Sequence, residues 1–461
     1  MAKIRTKIVI LNTSLSKYHS LSLSQLFQPV MSTIPNIKGA KTLSKSYDNL
    51  TKYGLIRPVN NGMYALLPLG LRVLNKLINV VDHEMEKAGA QKILLPALTS
   101  VNLWKRTDRF QSNQIELFKI KDRHDKEYIL SPTYEETICS LLSSIGTLSP
   151  KILPLKLYQI SSKWRDEMKP HLGFLRSREF IMKDLYTFDT TLDNARGTYE
   201  AVCEVYDNIF QKLGVAYTKA VGDTGSIGGL MSHEYHYVSD IGEDNIFVCS
   251  SCQYSVNKVV CKESHCPQCG NAFLEQHTAE VGHAFLLDTK YTKPLNATYK
   301  QNNKVSPLVM GCFGLGLSRI FTVAVEILSS KDELKWPTLL APYTACIVTP
   351  KAGSNEESAF QYVDPVVEIV NRLKVDAVLD DRTKLSIGQR VLQARLIGYP
   401  YVIVIGKRAL ESTPLFEIHD INNSTRVDVP LASIHDYFAS ESVKNKGAHT
   451  FTRLQNAGEC V

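Results

Sequence analysis

The stretch SSKWRDEMKPHLGFLRSREF, residues 161–180, places two charged clusters, WRDE and RSRE, on either side of a Pro and Gly turn. Read as the two strands of a hairpin, period-two alternation decides which side chains share a face. Gln159, Ser161, Lys163, Arg165 and Glu167 fall on one side of the first strand, while Tyr158, Ile160 and Trp164 fall on the other, which is core-like. On the return strand Arg176, Arg178, Phe180 and Met182 share a side, so a guanidinium and an aromatic ring can stand on one surface near Arg165. Planar guanidinium groups grip phosphate bidentately, and an aromatic ring offers a platform for a base. Pattern alone leaves two readings level: a nucleotide site and a solvated hairpin.

A second segment, VMGCFGLGLSR at 309–319, fails the dinucleotide fingerprint, because Arg319 stands where the third Gly should be. What remains is a strand, glycines and a helix opening on an arginine. Such an arginine can reach a phosphate through a charge-assisted fork, although a tight strand-to-helix turn with a surface Arg fits the same residues. In a third segment, SPTYEET at 131–137, Thr133 and Glu136 have the spacing of a capping box. Glu135 is left over, and a carboxylate at a helix start could hold a ligand's ammonium group.

Outward from these segments, residues 70–90 carry Leu74, Leu77, Ile78, Val81, Met85 and Ala88 at helical spacing, with Gly89 placed to stop the helix. QKILLPAL follows as a short strand that Pro96 confines to an edge. From about 115 to 190 short strands and turns alternate, the pattern of a mostly antiparallel sheet with added helices. A helix over 191–214 and a Gly-rich loop, GDTGSIGG, come next. After WPTLLAP at 336–342, strands alternate with helices in the manner of a separate α/β domain.

Composition bounds the rest. The chain has 461 residues, 44% of them hydrophobic, enough for two or three domains. Its formal charge of +7 sits wholly in residues 1–47, which hold seven Lys/Arg and no acid, so any basic surface elsewhere is a local patch. That basic, Ser-rich segment has the composition of an organelle transit peptide or of a disordered tail. No apolar run is long enough to span a membrane as a helix. Five of ten cysteines lie between 249 and 269, and the pairs Cys249-x2-Cys252 and Cys266-x2-Cys269 suit a tetrahedral zinc ribbon. Cys261 or His265 could replace a ligand, and thiols left from a degraded site are the bland alternative.

Together the three segments resemble class II aminoacyl-tRNA synthetases, and specifically the prolyl-tRNA synthetases of the bacterial and mitochondrial type, over about residues 45–440. WRDE with RSREFIMKD is similar to motif 2, GCFGLGLSR to motif 3, the 70–90 helix with ILLPAL to the dimer-forming motif 1, SPTYEE to the T-x-E amino-acid loop, and DTGSIGGLMSHEY to the loop that closes over proline. The resemblance implies an α+β fold: an antiparallel six- or seven-stranded catalytic sheet with helices, followed by an α/β anticodon-binding domain. The expected layout is a transit peptide or tail over 1–40, a catalytic domain over 41–335 and the anticodon domain over 336–461. It implies that Arg165 and Arg319 are catalytic and hold ATP phosphates, that Glu167 reads adenine and Phe180 stacks on it, and that Glu280 lies near ATP and magnesium. Thr133, Glu135 and His283 would receive proline, and Asp381, Arg382, Lys384 and Arg390 the anticodon, with Gln389 standing where a basic residue is expected. The implied partners are ATP, Mg2+, L-proline, tRNA(Pro) and a second copy of the chain, with no membrane, in the mitochondrial matrix. Cys249, Cys252, Cys266 and Cys269 would carry a structural zinc. Only about 130 residues separate Phe180 from Gly311, too few for an editing domain. The competing readings are another class II synthetase and a non-catalytic paralogue.

Overall fold

Two features of the 155–189 sequence, ten and eleven residues of alternating character around a turn, form the strands Leu155–Trp164 and Glu179–Asp189 of one antiparallel hairpin. The computed structural model describes residues 22–31, 44–111 and 116–447. The described residues form two units, one within 30–331 and the other of 22–29 with 332–447.

In the larger unit a nine-stranded sheet runs, edge to edge, Met231–Val238, Thr218–Val221, Ser255–Asn257, Asp244–Cys249, Phe273–Asp288, Val309–Gly316, Glu179–Asp189, Leu155–Trp164 and Gln91–Lys92. It exceeds the expected six or seven strands because two of its columns are broken. Met231–Val238 and Asp244–Cys249 lie end to end along the sixteen-residue Phe273–Asp288 strand, their registers meeting at Thr278. Two pairings, Gln91–Lys92 with Leu157–Tyr158 and Val256 with Val221, are parallel, so the sheet is mixed rather than purely antiparallel.

Register decides the faces. Gln159, Lys163, Phe180, Asp184, Tyr186, Gly314, Cys312, His283 and Phe285 all fall on one side. Tyr158, Lys183, Leu185, Phe313 and Leu315 fall on the other, where the helices Leu192–Leu213 and Leu317–Leu328 pack. The first of these helices is capped by the Thr191 hydroxyl and ended by Gly214 in the left-handed region. The helix anticipated over 70–90 runs Pro68–Lys87 and ends before Gly89, whose φ is +70°. Around the hairpin both faces are covered, with Tyr158 on one side and Gln159 and Lys163 on the other all 0% exposed.

In the smaller unit Ala377–Asp380, Ala345–Val348 and Tyr401–Val404 pair in parallel, and Leu415–Asp420 and Thr425–Pro430 continue antiparallel. The helices Val363–Arg372 and Ile387–Ile397 make the crossovers. The sequence reading placed residues 1–40 in a leader or tail. Residues 1–21 and 32–43 lie outside the described residues, but Ser22 and Leu23 are packed, each 8% exposed, against the Leu379 backbone. That stretch is therefore part of the fold.

Candidate active site

The hairpin ladder carries past its last paired residues, since Arg165 N–H donates to Arg178 O at 2.9 Å. This register puts the Arg165 guanidinium 5.3 Å from the centre of the Phe180 ring, on the shared surface that alternation had called for. Surrounding protein, and then the like charge of Arg319, lower the Arg165 pKa from its ordinary value. An anion between the two guanidiniums would relieve that repulsion.

Glu167 is 6% exposed and already held: Arg176 Nε lies 2.7 Å from Oε2, and the Lys169 amide donates to Oε1 at 3.1 Å. Burial would raise this carboxyl, but Arg176 outweighs it and holds it below the usual range. Arg176 also donates to both oxygens of Glu243 at 3.0 Å, and Arg178 Nε to Glu167 O at 3.0 Å. Arg176 and Arg178 thus brace the strand end. The tip of the turn stays open, with Met168 79% exposed.

Arg319 stands in the first turn of Leu317–Leu328. Its Nε donates to Leu175 O at 3.0 Å and its Nη1 to Glu280 O at 2.9 Å, which fixes the plane of the guanidinium against the motif 2 turn and the long strand. Glu280 Oε1 lies 3.0 Å from His283 Nδ1. Burial opposes ionisation of Glu280, yet His283 and Arg319 bring it down to about 2, so it is an anion at neutral pH. His283 stacks on Phe285 at 3.8 Å and faces its cross-strand partner Glu234 at 4.0 Å, beyond hydrogen-bond reach, which leaves Nε2 without a hydrogen-bond partner among the described residues. Glu234 is fixed from three sides, by His236 at 2.8 Å, Asn257 at 2.8 Å and the Asp223 amide at 3.1 Å. A Cβ on Gly222 would lie 2.7 Å from it, so only glycine lets the Gly-rich loop pass.

Thr133 does not cap its helix. The N-cap of Glu135–Ile145 is Tyr134, which makes no side-chain cap bond, and the Thr133 hydroxyl donates to Glu135 Oε1 at 2.7 Å. The capping-box reading is corrected: the Thr133 hydroxyl is spent on the Glu135 carboxylate. Glu135 is 0% exposed and also accepts from Cys312 Sγ at 3.1 Å, a thiol that burial and then Glu135 itself push far up, so that it stays a donor. The counter-ion was missed in the sequence. Arg109, 5% exposed, reaches Glu135 Oε2 and Glu136 Oε1, each at 3.1 Å, from 26 residues upstream of Glu135. Burial opposes its charge, but Glu136 and then Glu135 more than restore it. No local spacing marks Arg109, whose role exists only through the loop that returns it. A cavity of about 480 Å³ opens beside it, lined also by Ser226 of the Gly-rich loop and by Lys290.

In the smaller unit the sequence candidates separate. Lys384 is exposed and Asp381 half-buried. Arg382 is clamped bidentately to Asp380 at 2.9 and 2.6 Å. Arg390 is 0% exposed and donates to the Thr349 hydroxyl, Thr349 O and Asp380 O, so a direct anticodon contact by Arg390 is corrected to an internal brace between strands. Gln389 completes a capping box with Ser386, the S-x-x-Q signature that explains its place better than a lost basic residue does.

The four cysteines of the two C-x2-C pairs converge, their sulfurs all within 4.8 Å of one another. Cys249 and Cys269 are 3.4 Å apart and Cys252 and Cys266 3.5 Å, close to the roughly 3.8 Å edge of a zinc–thiolate tetrahedron. The Cys252 amide draws the Cys249 thiol down to about 6, while Cys252, hydrogen-bonded to the other sulfurs, is pushed up, as when crowded thiols share protons. Cys261 and His265 make other contacts, to Glu263 O and Ser264.

A mixed sheet bearing paired arginines around an aromatic ring, joined to an α/β domain, defines a class II aminoacyl-tRNA synthetase. Residues 118–328 match the family described as tRNA synthetase class II core domain (G, H, P, S and T), and 344–441 match the anticodon binding domain. The chain belongs to the prolyl-tRNA synthetase family and is an aminoacyl-tRNA ligase. It is 44% identical over 419 residues, 87% of each chain, to the Mus musculus protein named "Probable proline--tRNA ligase, mitochondrial". It is 32% identical to the Ehrlichia canis proline–tRNA ligase, over 88% of this chain and 97% of that one. The fold is similar to that of Giardia lamblia prolyl-tRNA synthetase in complex with prolyl-adenylate, with a TM-score of 0.73 at 18% identity over 88% of this chain and 82% of that one.

Proposed function

We propose that this chain activates L-proline with ATP and transfers it to the 3′ end of tRNA(Pro) in the mitochondrial matrix. The observation that carries the reading is one sheet face on which Arg165, Phe180 and the half-buried Thr133 with its buried partner Glu135 converge, with Arg319 held beside them. ATP lies with its adenine on Phe180 and its phosphates between Arg165 and Arg319. Glu135, oriented by Thr133, Cys312 and Arg109, receives the proline ammonium, and His283 lines the pocket with an Nε2 unpartnered among the described residues. Glu167, fixed by Arg176, offers its remaining carboxylate lone pairs to the adenine amino group.

The proline carboxylate then attacks the α-phosphorus in line, the bond to the β-phosphate oxygen breaks, and pyrophosphate leaves. No general base is needed, since the nucleophile is already an anion. Catalysis comes from alignment and from fixed cations that meet charge growing on phosphate oxygens. In the second step the terminal ribose hydroxyl attacks the prolyl carbonyl and AMP departs. Magnesium bound with ATP would neutralise phosphate charge near Glu280, and zinc on Cys249, Cys252, Cys266 and Cys269 would be structural.

The division between Lys331 and Asp332 supports separate catalytic and anticodon-binding domains. Asp381, Lys384 and the outer edge of Arg382 are the anticodon contacts retained from the sequence. Leu94, 77% exposed beside the edge strand, and Leu98, 45% exposed, support a homodimer through motif 1. The mitochondrial relatives support the location. A pyrophosphate-exchange screen over the twenty amino acids tests the whole: exchange fastest with proline, and weaker with the smaller alanine, is expected, faster exchange with any other amino acid overturns the substrate, and none overturns catalysis.

A further inference from the structure

Ser22 meets the open edge of the smaller unit's five-stranded sheet, and the chain then turns, the Gln25 amide donating to Ser22 O at 3.0 Å. Ser22 bridges Leu379 in parallel, and the Leu23 amide donates to Leu379 O at 2.9 Å. Ser24 turns both of its donors onto one carboxylate. Its amide reaches Asp381 Oδ1 at 2.9 Å and its hydroxyl reaches Oδ2 at 2.5 Å. Bonds to an ionised acceptor are the stronger kind, and two from one residue set the plane of the carboxylate.

We infer that residues 22–24, a one-residue bridge to the sheet edge followed by a turn, are part of the tRNA-reading domain and that Ser24 is a positioning residue for Asp381. The inference rests on the reading that Asp381 belongs to the anticodon-contacting surface. An uncovered edge strand presents unpaired backbone groups, and a segment of the same chain satisfies some of them. Asp381 follows the edge strand Ala377–Asp380 directly, in a loop whose neighbour Arg382 is already clamped to Asp380. With Ser24 engaging both oxygens, the half-buried Asp381 carboxylate keeps lone pairs that can accept from the amino or imino groups of unstacked bases. A stretch that composition assigned to a leader thereby becomes part of the RNA-binding surface.

The test is steady-state charging by the full chain carrying Ser24→Ala, Ser24→Thr, Asp381→Ala or both alanines, with hydrogen exchange followed on the peptide spanning 22–31. Ser24→Ala is expected to raise KM for tRNA about fivefold, the size of one net hydrogen bond, with kcat within about twofold. Ser24→Thr, which keeps the hydroxyl, restores the wild-type KM, and the double variant is no worse than Asp381→Ala. A wild-type KM for Ser24→Ala beside a raised KM for Asp381→Ala, or losses that multiply in the double variant, overturns the positioning role alone. A wild-type KM for Asp381→Ala, with protection of 22–31 lost, overturns the anticodon reading of Asp381 and the positioning role with it.

Discussion

The guanidinium of Arg109 lies 3.1 Å from the carboxylate of Glu135, and the two side chains are 5% and 0% exposed. Glu136 shares the same nitrogen, so a single cation balances two buried acids. Removing one partner of such a group leaves charge buried without compensation, which costs about 3–5 kcal/mol. Arg109→Met should therefore lower stability by an amount in that range in denaturant unfolding. It should also raise KM for proline by at least about tenfold, because Arg109 no longer fixes the Glu135 carboxylate that meets the ammonium. Adding Glu136→Gln should recover part of the stability by removing one of the two acids.

Arg165 and Arg319 differ in how they are held. Arg319 uses two nitrogens on backbone carbonyls, whereas Arg165 contacts the Phe180 ring and is exposed. Lysine at either position keeps charge but loses the fork. Arg165→Lys and Arg319→Lys should each reduce the rate of proline-dependent pyrophosphate exchange by about 10²-fold with little change in unfolding midpoint. Near-normal exchange in either variant would remove that arginine from the phosphate grip.

The cysteine tetrad should bind about one zinc per chain with four thiolate ligands, as elemental analysis would measure. Cys266→Ser should abolish it and loosen the Ser255–Asn257 strand, which follows the Cys252 knuckle and supplies Asn257 to Glu234. A content well below one per chain in protein purified without chelator would refute the site.

His233 carries a pH effect. Burial, then Lys219 and His283, lower its pKa from 6.5 to about 4. The unfolded chain takes up a proton below pH 6.5 that the folded chain refuses until about pH 4. Its contribution to stability is thus fully present above pH 6.5 and is lost progressively as pH falls toward 4. His233→Gln should flatten the pH dependence of the unfolding free energy across that window, and an unchanged slope would show that His233 titrates normally.

Alanine should be activated and transferred as well. A proline pocket separates a smaller amino acid by only about 1–3 kcal/mol per missing methylene. Measurable Ala-tRNA from the purified chain is expected, and rapid deacylation of added Ala-tRNA would contradict it.

Much of this was legible along the chain because it is local. Alternation placed Arg165 and Phe180 on one face, helical spacing and Gly89 bounded the Pro68–Lys87 helix, and two C-x2-C pairs marked four thiols that do converge. Motif order carried the family. Where a short pattern admits two uses, tertiary contacts chose between them. T-x-x-E became a hydroxyl–carboxylate contact, and S-x-x-Q at Ser386 became the cap. Arg176 and Arg178 turned inward as braces, and Arg390 went into the sheet.

By itself the sequence determined the elements, the cysteine pairs and the family, since period, turn residues and spacing are set by bonded neighbours. Only the tertiary structure decided the counter-ions of the buried acids, Arg109 for Glu135 and Arg176 for Glu167. The reason is electrostatic. A buried carboxylate must find donors somewhere, and the low-dielectric interior rewards whichever chain segment the fold returns to it, however distant in sequence.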